Sequence, residues 1–132
     1  MLLHELSREQ QRAFMVLARQ VVAADERLAL DEVERLDLLY REMQLPAADA
    51  DDPATAGDLN LLFPDAKGRA LVVLNLLALG YGDGALDERE RWAVVRIAHD
   101  LRLDDVDVAA METWAARHAA LLREAERFWS AP

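Results

Sequence analysis

The sequence predicts an all-α domain, a compact helical bundle of about six or seven helices, and three observations predict it. Apolar residues recur at spacings of three and four through most of the chain. No segment alternates with the period of two that a half-buried strand needs. Only four prolines and five glycines interrupt 132 residues, which leaves long stretches free of helix breakers. The length suits a single domain spanning 1–132, able to bury a core without staples.

Each element has its own signal. Ser7 opens the first helix, and Gln10 three positions on completes a capping-box pattern. Phe14, Leu17, Ala18, Val21 and Val22 then mark an inner face running to about Ala24. The charged turn DERLAL leads into a second helix from about Asp31 to Met43, with Val33, Leu36, Tyr40 and Met43 inward. Pro46 ends it, because the residue before a proline resists helical geometry.

The segment LPAADADDPATAG, Leu45 to Gly57, has no helical period and reads as a mobile acidic linker over about 46–58. Leu59 to Phe63 predicts a turn or two of helix before Pro64. A fourth helix, about Asp65 to Leu79, is apolar nearly all round except at Asn75, the pattern of a helix at the centre of a bundle. Leu74 and Leu77 are both expected in the core there, and Asn75 must find hydrogen-bond partners. Gly80, Gly82 and Gly84 stop this helix. The fifth runs from about Glu88 to Leu101, with Trp92, Val94, Val95, Ile97, Ala98 and Leu101 as candidate core. Asp104 and Asp107 suit the start of the last helix, whose buried face reads as Met111, Trp114, His118, Leu121, Ala125 and Phe128.

Composition narrows the functional classes. With 25 acids against 15 bases the net charge is −10, which repels phosphate backbones and anionic membranes. No nucleic acid is expected as a partner; cations and other proteins, basic surfaces above all, remain, and a homo-oligomer is left open. The absence of cysteine excludes disulfides, thiolate metal sites and cysteine nucleophiles. The most apolar run, Ala70 to Leu79, is about half the length a bilayer requires, so no membrane insertion is expected. MLLHELSREQ carries charges too early for a signal peptide, and the expected compartment is the cytoplasm.

The two halves of the chain match at an offset of 58 residues (83 − 25). Asp25 falls on Asp83, Leu28 on Leu86, Glu32 on Glu90 and Leu45 on Leu103. Apolar character is kept between Val21 and Leu79, Leu36 and Val94, Leu39 and Ile97, and Met43 and Leu101. Each copy, about 14–45 and about 72–103, is then a helix, an aspartate, a leucine three on, a glutamate seven on, and an amphipathic helix.

Those acids have two readings. Asp87 caps the fifth helix and Glu90 completes a capping box, which needs no ligand. Asp83 instead follows the C-terminus of an apolar helix, where the dipole disfavours negative charge, so turn N–H groups or a cation must compensate. Oxygen-rich clusters suit calcium or magnesium rather than zinc or copper. The spacing is not that of an EF-hand, since the twelfth residue counted from Asp83 is Val94.

The stretch GDGALDERERWAVVRIAHDLRL, behind its apolar helix, resembles the acidic Asp-Gly…Glu element of the tellurite-resistance TerB-like family. AADERLALDEVERLDLLYREMQL is similar to a degenerate first copy, differing at Glu26, where the family favours glycine, and at Ala29, where a small polar cap is usual. The resemblance runs from about Phe14 to Leu103. It implies an internally duplicated helical domain linked to chemical stress responses, with a divalent cation, calcium or magnesium, on its acidic residues. The residues implied as metal ligands are Asp83, Asp87 and Glu90, with Asp25 and Glu32 in the first copy.

No other constellation carries chemistry. His4, His99 and His118 lie on different segments without ligand spacing. No serine or threonine sits in a nucleophile elbow, and Lys67, the only lysine, follows no phosphate-cradling loop. No enzyme activity is expected. The leading expectation is a non-enzymatic stress-response domain acting as a sensor or scaffold; the alternative is a helical protein–protein interaction module with no metal site.

Overall fold

A computed structural model of the chain describes residues 1–24, 30–45, 58–81 and 86–130, without the side chains of residues 30–32. Six α-helices follow in order: α1 Arg8–Ala23, α2 Leu30–Met43, α3 Leu59–Leu62, α4 Ala66–Gly80, α5 Glu88–Asp100 and α6 Asp105–Ala125. Short 3-10 turns at Leu3–Glu5 and Glu126–Phe128 flank them, and no strand occurs among the described residues. The all-α expectation holds. The predicted linker over 46–57 lies outside the described residues.

Two helices form the centre. Along α1 the side chains of Phe14, Leu17, Ala18, Val21 and Val22 are buried, as their spacing predicts. The Ser7 hydroxyl accepts from the Gln10 N–H at 3.1 Å, and the Ser7 N–H donates to Gln10 Oε1 at 2.9 Å, so the capping box is complete. Gln10 Nε2 also donates to the Leu62 carbonyl at 2.9 Å, tying α1 to the end of α3. α4 is buried almost all round, leaving only Ala70, Leu74 and Ala78 partly accessible along its inner turns. α1 packs against α2, α4 and α5, while α4 packs against α1, α5 and α6.

Leu77 is therefore core, but Leu74 is not: it falls on the one stripe of α4 that its three neighbours leave half-covered. Asn75 is buried and satisfied. Its Nδ2 donates to the Leu71 carbonyl at 2.7 Å and the Met1 carbonyl at 3.0 Å, and its Oδ1 accepts from the Met1 ammonium at 2.8 Å. That ammonium also stands 3.1 Å from Glu42 of α2.

α2 and α5 stop in the same way. Gln44 (φ 53°) and Arg102 (φ 64°) take left-handed backbone geometry immediately beyond each helix. The Leu45 N–H then donates to the Tyr40 carbonyl at 2.9 Å, and the Leu103 N–H to the Ala98 carbonyl at 3.0 Å. The accompanying bonds, Gln44 N–H to Arg41 and Arg102 N–H to His99, are both 3.0 Å. Both ends are Schellman motifs, which satisfy last-turn carbonyls and turn the chain back toward the core. Arg8 adds to the first, its Nη1 donating to the Met43 carbonyl at 2.9 Å and the Gln44 carbonyl at 3.2 Å.

α6 corrects the expected face. Val108 and Ala115 are buried, with Met111, Glu112, His118 and Ala119 half-buried, whereas Trp114, Leu121 and Phe128 are exposed. The helix carries two apolar stripes, and the one with the smaller side chains seats on α4, since alanine lets two backbones approach. Trp114 lies outside and stacks on His118, ring centroids 5.0 Å apart and 12° from parallel. With 21 residues against the 15 of α4, α6 is roughly 9 Å longer. Leu121 and Leu122 on its last turns are accordingly exposed. No described helix is long and apolar enough to cross a membrane.

Candidate functional site

The acidic turn begins where α4 ends. Gly80 is buried, and a Cβ built on it would collide with Leu86 Cδ1 and lie 3.4 Å from Glu90 Oε2. A larger residue here would meet the end of the Leu86 side chain, just before α5, while the Glu90 carboxylate stands at ordinary contact distance. Asp87 is the N-cap of α5, its Oδ1 accepting from the Arg89 N–H at 2.8 Å. The expected capping box does not form in that shape, because the bond runs from Arg89 rather than from the Glu90 N–H.

Glu90 is turned inward instead. It is 5% exposed, the one buried carboxylate among the described residues, and it is not an orphan. Burying a carboxylate is costly unless it is paired or hydrogen-bonded. Its position in the first turn of α5 is favourable to negative charge, while the nearby end of α4 is not. A carboxylate held between a helix start and a helix end can accept turn N–H groups or face a hard cation.

Of the five acids expected at a cation site, the structure places the side chains of two, Asp87 at the N-cap of α5 and Glu90 on its first turn. Asp87 is exposed and caps the helix through Oδ1, and Glu90 Oε2 lies near Gly80. Asp83 and Asp25 lie outside the described residues, and Glu32 lies in α2 with its side chain outside them. Among the described residues no three of His, Asp or Glu converge as a set of metal ligands.

The outer face of α5 was not anticipated. Trp92 is 59% exposed rather than core, because it stands about 200° round the helix from the buried Val94. On one side of it a groove of about 570 Å³ separates α5 from α1, lined by Gln20, Ala24, Arg89, Arg96 and Ile97 among others. On the other side a cleft of about 290 Å³ separates α5 from α6. Two pairs bridge that cleft. Arg91 Nε stands 2.9 Å from Glu112 Oε1, off the line of a hydrogen bond, and His99 Nε2 contacts Asp105 Oδ1 at 2.7 Å. The signal for this face was present in the sequence: Arg89, Trp92, Arg96 and His99 recur at three and four, opposite Val94, Ile97, Ala98 and Leu101.

No protein-family model matches the chain, and no curated protein or solved structure is detectably similar to it.

Proposed function

We propose that the chain is a TerB-like domain, two divergent copies of one helix–acidic turn–helix unit, that serves as a non-enzymatic sensor or scaffold in a cytoplasmic stress response. Its acidic turns take a divalent cation, calcium or magnesium, through Asp83, Asp87 and Glu90, with Asp25 and Glu32 as the weaker first-copy set.

Local geometry supports the duplication. Moved by 58 residues, α1 (Arg8–Ala23) covers 66–81, where α4 spans Ala66–Gly80; α2 (Leu30–Met43) covers 88–101, where α5 spans Glu88–Asp100. The N-caps Ser7 and Asp65 correspond, as do the left-handed residues Gln44 and Arg102. So do the Schellman bonds, Leu45 to Tyr40 and Leu103 to Ala98. A short helical turn precedes each first helix, Leu3–Glu5 before α1 and α3 before α4. Side chains diverge between copies far more readily than the bonds that set where a helix stops.

The observation that carries the cation reading is the buried Glu90 carboxylate, seven residues after Asp83 in the sequence. Binding that favours the folded state adds RT ln(1 + [L]/Kd), so ten-fold saturation raises stability by roughly 1.4 kcal/mol. Calcium or magnesium should raise the melting temperature beyond sodium at matched ionic strength, and Asp83→Asn should remove the difference while folding normally. Equal melting in divalent and monovalent salt would sink the cation site.

A second reading, a helical interaction module with no metal site, is favoured by the end of α6. Phe128 is 85% and Trp129 69% exposed, next to the exposed Leu121 and Leu122. Apolar side chains gathered this densely mark contact surfaces. Under it, divalent salt has no specific effect, and Phe128→Ser with Trp129→Ser abolishes partner binding or self-association measured by sedimentation.

A further inference from the structure

We infer that α6 pairs antiparallel with α6 of a second copy of this chain, along the apolar stripe that it leaves outside the bundle. The inference rests on the interaction-module reading above and names its partner.

Met111, Trp114, His118, Leu121, Ala125 and Phe128 recur at alternating spacings of three and four, the seam of a two-stranded coiled coil. The bundle does not use that seam. Trp114, Leu121 and Phe128 are exposed, and Met111, His118 and Ala125 are only half-buried. α6 buries Val108 and Ala115 instead, where it packs on α4. It is also roughly 9 Å longer than α4, so its last turns can lie along the anchored half of a second copy.

A two-fold interface must be complementary to itself, and the stripe is so in size and in charge. A two-fold axis between Ala119 and Ala120 sets Trp114 opposite Ala125, the largest side chain of the seam against the smallest. Met111 then meets Phe128, and His118 meets Leu121. All six residues find a counterpart, whereas a shift of one heptad either way leaves two without one.

Arg117 and Glu124 lie on one edge of the seam, seven residues or roughly 10 Å apart, too far to pair within one helix. Both are exposed, and among the described residues neither has an ion-pair partner. The same register brings Arg117 of each copy beside Glu124 of the other. A parallel pair would instead set Trp114 against Trp114 and Arg117 beside Leu122. The net charge of −10 opposes self-association elsewhere on the chain. Residues 109–130 escape it, because Glu112, Glu124 and Glu126 are balanced by Arg117, Arg123 and Arg127.

The test is sedimentation velocity of the full chain over a range of concentrations, and the expected result is a monomer–dimer equilibrium. Leu121→Glu, at an exposed position, should abolish the dimer with circular dichroism unchanged. Arg117→Glu and Glu124→Arg should each weaken it about tenfold or more, and the two together should restore most of the loss. The chain has no cysteine, so a nitroxide on Ala110→Cys reports a single distance by electron spin resonance. Antiparallel pairing puts the two labels roughly 30 Å apart, and parallel pairing puts them within about 20 Å. A chain that stays monomeric up to its solubility limit overturns the inference and leaves the wider reading to be judged on other partners. A dimer indifferent to the charge swap, or one with its Ala110 labels side by side, overturns the antiparallel pairing. Loss of that dimer on Phe128→Ser with Trp129→Ser would still keep α6 as an interface. A dimer that survives both Leu121→Glu and the Phe128→Ser, Trp129→Ser variant overturns the inference and the reading beneath it.

Discussion

Gly80 and Leu86 approach each other so closely that a single methyl on Gly80 would fall inside the volume of Leu86 Cδ1, with Glu90 Oε2 at 3.4 Å. Alanine at Gly80 gains roughly 0.8–1 kcal/mol of helix propensity. Against that, forcing a methyl into a filled site costs roughly 1–3 kcal/mol. Gly80→Ala should therefore lose about 1 kcal/mol net. In a Leu86→Ala background, where the colliding atom is gone, the same change should be neutral or stabilising. A double-mutant cycle by chemical denaturation measures the difference, and additive effects would show that the close approach is not what constrains this residue.

The two leucines of α4 should separate sharply. Leu77 is fully buried, so Leu77→Ala should cost roughly 2–5 kcal/mol. Leu74 lies on the half-covered stripe with Ala70 and Ala78, and Leu74→Ala should cost about 1 kcal/mol or less. Equal losses in urea unfolding would mean that something covers this stripe in solution.

Gln44 and Arg102 hold a geometry that glycine adopts without strain, and a side chain there costs roughly 1–2 kcal/mol. Glycine returns part of that gain by loosening the unfolded chain. Gln44→Gly and Arg102→Gly should each stabilise by about 0.5–1 kcal/mol, read as matched rises in melting temperature. Similar gains at both sites are what two copies of one cap require.

Lys67 Nζ donates to Glu5 Oε1 at 2.6 Å, joining the Leu3–Glu5 turn to the first turn of α4. That hydrogen bond, with the charge of Lys67 and a smaller effect of His4, holds the Glu5 carboxyl below its ordinary range. Its folded-state value lies below the unfolded one, so its contribution to stability is present above the unfolded value and is lost as pH falls through the folded one. Lys67→Met should raise the Glu5 titration midpoint toward that of a free glutamate, measured by NMR of the side-chain carboxyl. An unchanged midpoint would mean the pair does not persist in solution.

Much of the fold was legible because its punctuation is chemical. Ser7, Asp87 and Asp104 sit where helices start, each for a reason readable from one side chain. Which face of α6 turns inward was not legible, because Trp114, Leu121 and Phe128 form as regular a stripe as Val108 and Ala115. Close approach chose the smaller residues, and only the facing surface of α4 reveals that. Trp92 was misplaced for a related reason: bulk and apolarity made it look like core, while its angle relative to Val94 put it outside. At the acidic turn, Asp87 was legible as a cap, but the inward turn of Glu90 depends on the space above Gly80, a property of two segments rather than of either one.

The contact of α1 with both α4 and α5 has a consequence for how the chain comes apart. Neither half closes a core alone, because the most deeply buried helix of the first half is covered by helices of the second. Cleaving the backbone between 46 and 57 should yield two pieces that are each poorly folded in isolation and that regain helical circular dichroism when mixed. The domain is in that sense a split reporter waiting to be cut, with reassembly driven by the same apolar surface that α1 and α4 share.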